Sequence, residues 1–469
     1  MEISGEKIVV AGLGRTGMSV ALFLKRRGAQ VTVTDSSDDI ELADRADSLS
    51  KMGIKVEFGS HNPDSFENAG LIVLSPGVPH TIEPVRRAVE RGVPVIGEIE
   101  LASKFIKEPI VAISGTNGKT TVTTLAGKML EESGLNVFVG GNIGNPLIDY
   151  VDSKKKAEII VAEISSFQLD TIDTFRPGIS VLLNITEDHL DRYDDFNAYV
   201  KSKGRIFENQ EGADICIFNA SDKHICSMAG NIRCRKIPFS DEEHLKGHKE
   251  YAKILNDRID FNIEKSSAGS SLAFAGNFSL YFSEIGIPGR HNIENVAAAA
   301  LASLAAGGNA AGIRSALKKF KGLPHRIEHV AVIKGTEYYD DSKATTVDSV
   351  AKALEVFSRP VILIMGGRNK GSNFSLLKNT VIKHVKKLIV LGEAREEITA
   401  SLGDIVETVS AESMEDSVNF AYGSAEPGDV VLLSPACSSF DMFTSYSHRG
   451  EIFRRAVETL KRREVNNET

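Results

Sequence analysis

Along the chain, short apolar runs rich in β-branched residues give way to glycine or polar loops and then to longer stretches with helical spacing. This recurring strand, loop and helix order predicts an α/β fold with parallel sheets. The strand-like runs fall into three groups: KIVVAGLG, QVTVTD and LIVLSPG; then IVAISGTNGKT, EIIVAEISS and ISVLLNITEDH; then PVILIMGG, KLIVLGE and DVVLLSPACSS. Each run turns from apolar to polar at its carboxyl end, where open α/β sheets bind their ligands. Three domains are predicted: a Rossmann-like unit over 1–98, a central P-loop-type unit over 99–322 and a second Rossmann-like unit over 323–469. The first boundary follows VPVIGE, and Gly322 and Pro324 break the helical run AGIRSALKKFK at the second. Between Asp214 and Ser283 the alternation fades into short strands with charged connections, a small β elaboration of the central unit.

A chain of 469 residues accommodates these domains at roughly 100–200 residues each. Lys and Arg number 55 against 63 Asp and Glu, with no long basic tract, so no footprint for nucleic acid is present. Anionic ligands must be held by local groups. Cys216, Cys226, Cys234 and Cys437 lack the C-x-x-C and zinc-ligand spacings and read as reduced thiols. The start, MEISGEKIVVAGLG, has no charged-then-apolar leader, and the apolar stretch from Val296 is too short to span a bilayer, so a cytoplasmic protein is expected. The closing KRREVNNET is polar enough to fray.

AGLGRTG places Gly12, Gly14 and Gly17 in G-x-G-x-x-G spacing between a strand and a helix, with Asp35 ending the next strand. The pattern suggests NAD, but the glycines only let a pyrophosphate approach a helix amino terminus and do not specify a nicotinamide. Any nucleoside diphosphate satisfies them. Gly14, Arg15, Thr16, Asp35 and Ser75 of the next small-residue loop are the candidate contacts; a turn without a ligand and a solvated Asp35 are the alternatives.

In GTNGKTT, Gly115 and Gly118 allow backbone N–H groups to face phosphate oxygens, Lys119 reaches terminal phosphates and the Thr120 hydroxyl suits Mg²⁺. Thr116, Asn117 and Thr121 complete the loop. Ile113 stands where the common P-loop has its first glycine, which points away from motors and GTPases. Glu163 ends the strand IIVAE, where nucleotide-binding sheets place an acid toward Mg²⁺. Asp188, His189 and Asp191 crowd the end of the following strand.

GTNGKTT, AEISSFQLD, NITEDHLDRY, GRHNIENVAAA, LPHRIE, DDSKATT and LLSPACSSFDMF, in this order, resemble the Mur ligases. The resemblance implies a cytoplasmic, monomeric enzyme of peptidoglycan-precursor synthesis that uses ATP and two Mg²⁺ ions. AEISSFQLD with GTNGKTT points to the member that adds D-glutamate to UDP-N-acetylmuramoyl-L-alanine through an acyl phosphate. The first domain would then bind the uridine nucleotide of the substrate.

The same resemblance assigns roles. His189 would help hold a second Mg²⁺, and Lys203 would be carbamylated by CO₂ into a metal ligand. From its residues alone Lys203 reads as a solvated charge on a helix face with Lys201. Asn142 would contact the muramoyl substrate and Asn295 the adenine; either residue type also suits a turn or helix cap. Arg326 and Asp341 would reach phosphate and ribose, and Lys343, Thr345, Lys370, Ser439 and Phe440 would receive D-glutamate. Tyr446 stands where the family pattern has phenylalanine, and the loop GGRNKG around Lys370 departs from it in length or spacing. Rival readings are a folylpolyglutamate synthase, the L-alanine-adding Mur ligase, an NAD-dependent dehydrogenase and a non-catalytic UDP-sugar sensor.

Overall fold

The first group of apolar runs forms five parallel strands, β1 (Lys7–Ala11), β2 (Gln30–Asp35), β3 (Lys55–Phe58), β4 (Leu71–Leu74) and β5 (Val95–Gly97), in the order β3-β2-β1-β4-β5. Ile8 to Ala11 are buried on both faces, as a central parallel strand requires. From β1 the chain builds outward to β3 and then crosses to β4, so a crevice opens beyond the carboxyl ends of β1 and β4. The structure is a computed structural model that describes all residues except 1, 38, 154–155, 191, 231, 265–275 and 468–469, and only the backbone of 40, 41, 466 and 467.

The second sheet contains β6 (Ile110–Ser114), β7 (Val137–Gly141), β8 (Ile159–Glu163), β9 (Ile179–Leu182), β10 (Ile215–Asn219), β11 (Arg235–Ser240), β12 (Tyr251–Ile254), β13 (Arg258–Ile263) and β14 (Gly276–Tyr281). Their order is β14-β13-β12-β11-β10-β9-β6-β8-β7. The β elaboration is narrower than the sequence suggests. β10 and β11 extend the parallel ladder around the helix Lys223–Ala229, and only β12, β13 and β14 pair antiparallel.

The third sheet contains β15 (Glu328–Ile333), β16 (Thr336–Asp340), β17 (Val361–Gly366), β18 (Val385–Leu391), β19 (Thr408–Ser410) and β20 (Val430–Leu433), ordered β15-β16-β20-β17-β18-β19. β15 and β16 make an antiparallel hairpin at one edge, and β15 alternates in burial, which is why neither stands out as an apolar run. Along β17 the side chains divide with a period of two: Leu363 and Met365 enter one core, Ile362 and Ile364 the other. Phe453, Val457 and Leu460, one stripe of the helix Tyr446–Asn467, close the second core. That helix corrects the expected frayed terminus, because Glu464 is buried and ion-paired with Lys334.

The chain divides into two compact units. One comprises Met1–Ile185, Asn197–Glu284 and Glu294–Lys319, with the first two sheets; the other comprises Thr186–Phe196, Ile285–Ile293 and Phe320–Thr469, with the third. Among the described residues no helix is long and apolar enough to cross a membrane.

Candidate active site

Within the first unit, a cavity of about 620 Å³ is lined by Gly14, Arg15, Thr16, Asp35 and Ser75, all expected from the sequence, and by Asn142. The glycine turn that forms its floor is tightly packed. A Cβ on Gly17 would overlap the Gly12 carbonyl, and a Cβ on Gly12 would lie 2.8 Å from Ser75 Oγ. Asp35 has a second duty beside the one its position suggests: Oδ2 accepts from the Leu13 N–H at 2.7 Å and Oδ1 from the Ser37 N–H at 2.9 Å, tying the ends of β1 and β2 together. Arg15 hydrogen-bonds Asn145 Oδ1 across the cavity mouth.

The loop after β6 is held from behind by Asn184. Its carbonyl accepts from Thr116 N–H at 2.9 Å, its Oδ1 accepts from Asn117 N–H at 2.8 Å, and its Nδ2 donates to the Asn117 carbonyl at 3.1 Å. Gly118, at φ 85°, caps the helix Lys119–Glu132, and a Cβ there would collide with Asn295 Oδ1, so the predicted adenine residue lies against this loop. Lys119 Nζ donates to the carbonyls of Gly115 at 2.8 Å and Thr116 at 2.7 Å. Thr120 is partly exposed and Thr121 buried in the first helical turn. A helix amino terminus behind a loop of N–H groups favours anionic ligands.

Glu163 is the register partner of Ile113, which brings it to the same edge as the loop. It is only 2% exposed; Oε1 accepts from Asn142 Nδ2 at 2.9 Å, while Oε2 is buried with no hydrogen-bond partner among the described residues. A buried carboxylate oxygen without a donor is costly unless a cation compensates it. The donor set of Glu163 and the Thr120 hydroxyl is all oxygen, which suits Mg²⁺.

Lys203 is 1% exposed, and Nζ donates to the Gly115 carbonyl at 2.8 Å and to Ser114 Oγ at 3.3 Å. The solvated alternative for Lys203 is therefore overturned. Two positions along a helix point to nearly opposite faces, and only Lys201 faces solvent. Tyr199, also buried, shares a hydrogen bond of 3.0 Å with Thr116 Oγ1 and places its ring 5.4 Å from Lys203 Nζ.

Within the second unit, Asp188 gathers two of the expected residues. His189 Nε2 lies 3.4 Å from Asp188 Oδ2, and Lys370 Nζ lies 4.0 Å from Oδ1. His189 itself has φ 56°, with its N–H donating to Asp188 Oδ1 at 2.9 Å. Asp191 lies outside the described residues.

Asp341 follows β16 and accepts from Ile327 N–H at 3.2 Å and from Ser434 Oγ at 2.8 Å. Burial pushes its carboxyl up to about 7, against these hydrogen bonds and the Arg326 charge. Lys343 Nζ lies 3.6 Å from the Tyr446 ring centroid, a cation–π contact, so the aromatic substitution noted in the sequence carries a lysine of the expected amino-acid pocket. Thr345 is partly buried, Ser439 buried and Phe440 67% exposed.

Asn184, Tyr199 and Arg449 organise these groups without having been singled out in the sequence. Arg449 is fully buried; it donates to Ser342 Oγ at 2.9 Å, the Ser342 carbonyl at 2.8 Å and the Cys437 carbonyl at 3.1 Å. One guanidinium thus binds the Lys343 loop to the Ser439 loop. Its signal in the sequence is no more than an arginine early in a helix, and its partners are the hydroxyl and carbonyl of Ser342, 107 residues away, and loop carbonyls such as that of Cys437.

Family models match three successive stretches: Mur ligase MurD-like, N-terminal domain at residues 6–97, Mur ligase middle domain at 113–303, and Mur ligase, glutamate ligase domain at 325–437. A UDP-N-acetylmuramoylalanine--D-glutamate ligase of Desulfosudis oleivorans is 47% identical over 461 residues, covering 98% of each chain. The ligase of that name from Desulfatibacillum aliphaticivorans is 49% identical over 463 residues, 98% of this chain and 100% of that one. Among solved structures, a pseudomurein peptide ligase type C of Methanothermus fervidus and the UDP-N-acetylmuramate-alanine ligase MurC of Thermotoga maritima each align with a TM-score of 0.59 at 20% identity, over 97% of this chain and 100% of theirs. These two likenesses concern the fold. Domain models covering most of the chain, and near-half identity along its whole length, make it a member of the Mur ligase family.

Proposed function

We propose that the protein is an ATP-dependent ligase that joins D-glutamate to UDP-N-acetylmuramoyl-L-alanine in the cytoplasmic synthesis of a peptidoglycan precursor. The observation that carries this reading is the glycine-hinged loop beside Glu163, a buried acid with one oxygen left without a donor among the described residues. The whole-length similarity to ligases named for that reaction supports the choice of substrates. The three sheets, within 7–97, 110–281 and 328–433, support a division into domains at 98/99 and 322/323.

An amide does not form readily from a carboxylate, a poor electrophile. The alanyl carboxylate attacks the γ-phosphorus of ATP, ADP departs, and the resulting acyl phosphate is attacked at carbon by the D-glutamate amine; phosphate then leaves. Lys119 and the N–H groups of residues 115–120 offset the charge on the transferring group, and Asn295, Arg326 and Asp341 hold the nucleotide. Glu163 and Thr120 would hold one Mg²⁺, and His189 and Lys203 would serve a second. Bound there, the metal would supply positive charge that offsets the negative charge of the reacting groups.

Lys203 would act as a carbamate: the neutral Nζ adds to CO₂ and loses a proton, which turns a cation into a carboxylate-like oxygen donor. Its burial supports this role, because desolvation favours the neutral amine that the addition needs. Gly14, Arg15, Thr16, Asp35 and Ser75 hold the uridine diphosphate, and Asn142 the muramoyl portion. Lys343, Thr345, Lys370, Ser439 and Phe440 receive D-glutamate, whose two carboxylates suit two lysines.

Phosphate release from Mg-ATP, measured with both substrates, with each omitted, and with L-glutamate replacing D-glutamate, tests the reading. Release that needs both substrates and rejects L-glutamate is expected; release independent of the UDP compound would overturn it.

A further inference from the structure

One side chain in the cavity of the first unit has no part in the assignments above. His61 follows β3 and lines the cavity on the same side as Asp35 and Ser36. Its Nδ1 lies 2.9 Å from Oγ1 of Thr34, a residue with no exposed surface, and its ring packs edge-on to Phe66 with centroids 5.6 Å apart. These two contacts fix the ring: Nδ1 is turned inward to Thr34, Nε2 is at the opposite side of the imidazole, and the residue lines the cavity. Among the described residues Nε2 has no hydrogen-bond partner.

The proton count at Thr34 sets the chemistry of Nε2. Both contacts of Thr34 Oγ1 are satisfied together only when the hydroxyl donates to the Ser60 carbonyl, 3.4 Å away and able only to accept, and the Oγ1 lone pair receives Nδ1–H. Burial lowers the pKa of His61 against the pull of Asp35 and Glu57, which keeps the ring neutral near pH 7.5. A neutral ring protonated at Nδ1 presents a bare acceptor at Nε2. Asp35 is a second acceptor at the same rim, each of its oxygens receiving one backbone N–H and keeping a lone pair for the ligand.

Resting on the uridine-nucleotide reading of this cavity, we infer that His61 Nε2 accepts a hydrogen bond from the nucleoside of the bound substrate and so discriminates which nucleoside is held. The β2 end beside it is where this fold receives a ribose, so the donor is either a ribose hydroxyl or the uracil N3–H. Cytosine has an acceptor at N3 and would oppose Nε2. Thr34 is a positioning residue, fixing the tautomer without touching the ligand.

Calorimetric titration of the full-length protein with UDP, CDP, 2′-deoxy-UDP and 3′-deoxy-UDP tests this, using wild type, His61→Phe, His61→Gln and Thr34→Val. His61→Phe should bind UDP about tenfold more weakly, the worth of one hydrogen bond, while His61→Gln, which keeps an acceptor, retains most of the affinity. Thr34→Val should also lose affinity, and it serves if His61→Phe does not fold. If the imino proton is read, wild type prefers UDP to CDP and His61→Phe does not; if a ribose hydroxyl is read, the lost preference is against one of the deoxy compounds. Wild-type binding of UDP together with unchanged affinities and preferences in His61→Phe and Thr34→Val would overturn the inference alone. Failure of the wild type to bind any uridine nucleotide would remove the nucleotide reading and the inference with it.

Discussion

Asn142 Nδ2 donates to Glu163 Oε1 at 2.9 Å, while Oε2 of the same carboxylate is buried without a donor among the described residues. The amide carries no charge, so it orients the acid without neutralising it, and the proposed metal role of Glu163 rests on the other oxygen. Glu163→Gln preserves the shape but removes the charge, and phosphate release should fall by about 10²–10³ with little change in melting temperature. Asn142→Ala should cost about tenfold, chiefly as a raised Mg²⁺ requirement. A titration of activity against Mg²⁺ for both variants separates the two roles, and a Glu163→Gln enzyme as active as wild type would remove Glu163 from the metal site.

Lys119 Nζ donates to two carbonyls of its own loop, whereas the loop's attachment to Asn184 runs through the Thr116 and Asn117 N–H groups and does not involve the Lys119 side chain. Lys119→Ala should remain folded and lose about 10²–10³ of its phosphate release. Full turnover by this variant would contradict the assigned role.

Lys203 is predicted to depend on CO₂. Enzyme held in CO₂-free buffer should lose activity and regain it on addition of bicarbonate, and ¹³C-bicarbonate should give a carbamate resonance that is absent in Lys203→Ala. Activity indifferent to bicarbonate, with no such resonance, would leave Lys203 as a structural lysine.

Glu98 offers a test of stability against pH. Its buried carboxyl is pushed up to about 7 by desolvation, opposed by the hydrogen bond from Ile148 N–H and helped by Asp149. The folded chain then holds a proton that the unfolded chain, with an ordinary carboxyl near 4.5, has released. The resulting stability is fully present below about 4.5 and is lost as pH rises through about 7. Glu98→Gln keeps an acceptor for Ile148 and cannot ionise, so from pH 4.5 to 8 it should gain on the order of 3 kcal/mol relative to wild type in urea unfolding. The raised carboxyl of Asp341 is common to both proteins and drops out of the difference.

Arg449→Lys replaces a fork of donors with one ammonium and leaves carbonyls of Ser342, Cys437 or Ser438 unpaired. A loss of roughly 2–4 kcal/mol is expected, with a raised KM for D-glutamate and a smaller effect on the KM for ATP. Thermal melts and the two KM values check it; equal increases in both would mean a general loosening instead.

Apolar runs and glycine spacing made the central parallel strands, the phosphate loop and Glu163 legible in the sequence, because those features are written locally. The hairpin of β15 and β16 was not, since an edge strand keeps a polar face. Asn184 and Arg449 escaped for a related reason: Asn184 holds the backbone of Asn117, 67 residues away, and Arg449 reaches Ser342, 107 residues away, and no spacing rule encodes such bonds. Lys203 shows the opposite case. Its neighbours in sequence suggested a wet helix face, while the fold turns it inward onto Ser114 and Gly115.

The turn at Gly12 and Gly17 obeys an excluded-volume condition between a helix and the strand end beneath it, with Ser75 as the third wall. That condition concerns the protein's own atoms and is satisfied before any guest arrives. The fingerprint therefore certifies a docking depth, not a cofactor. Two enzymes could exchange one nucleotide for another by altering the side chains at the rim, with the three glycines unmoved.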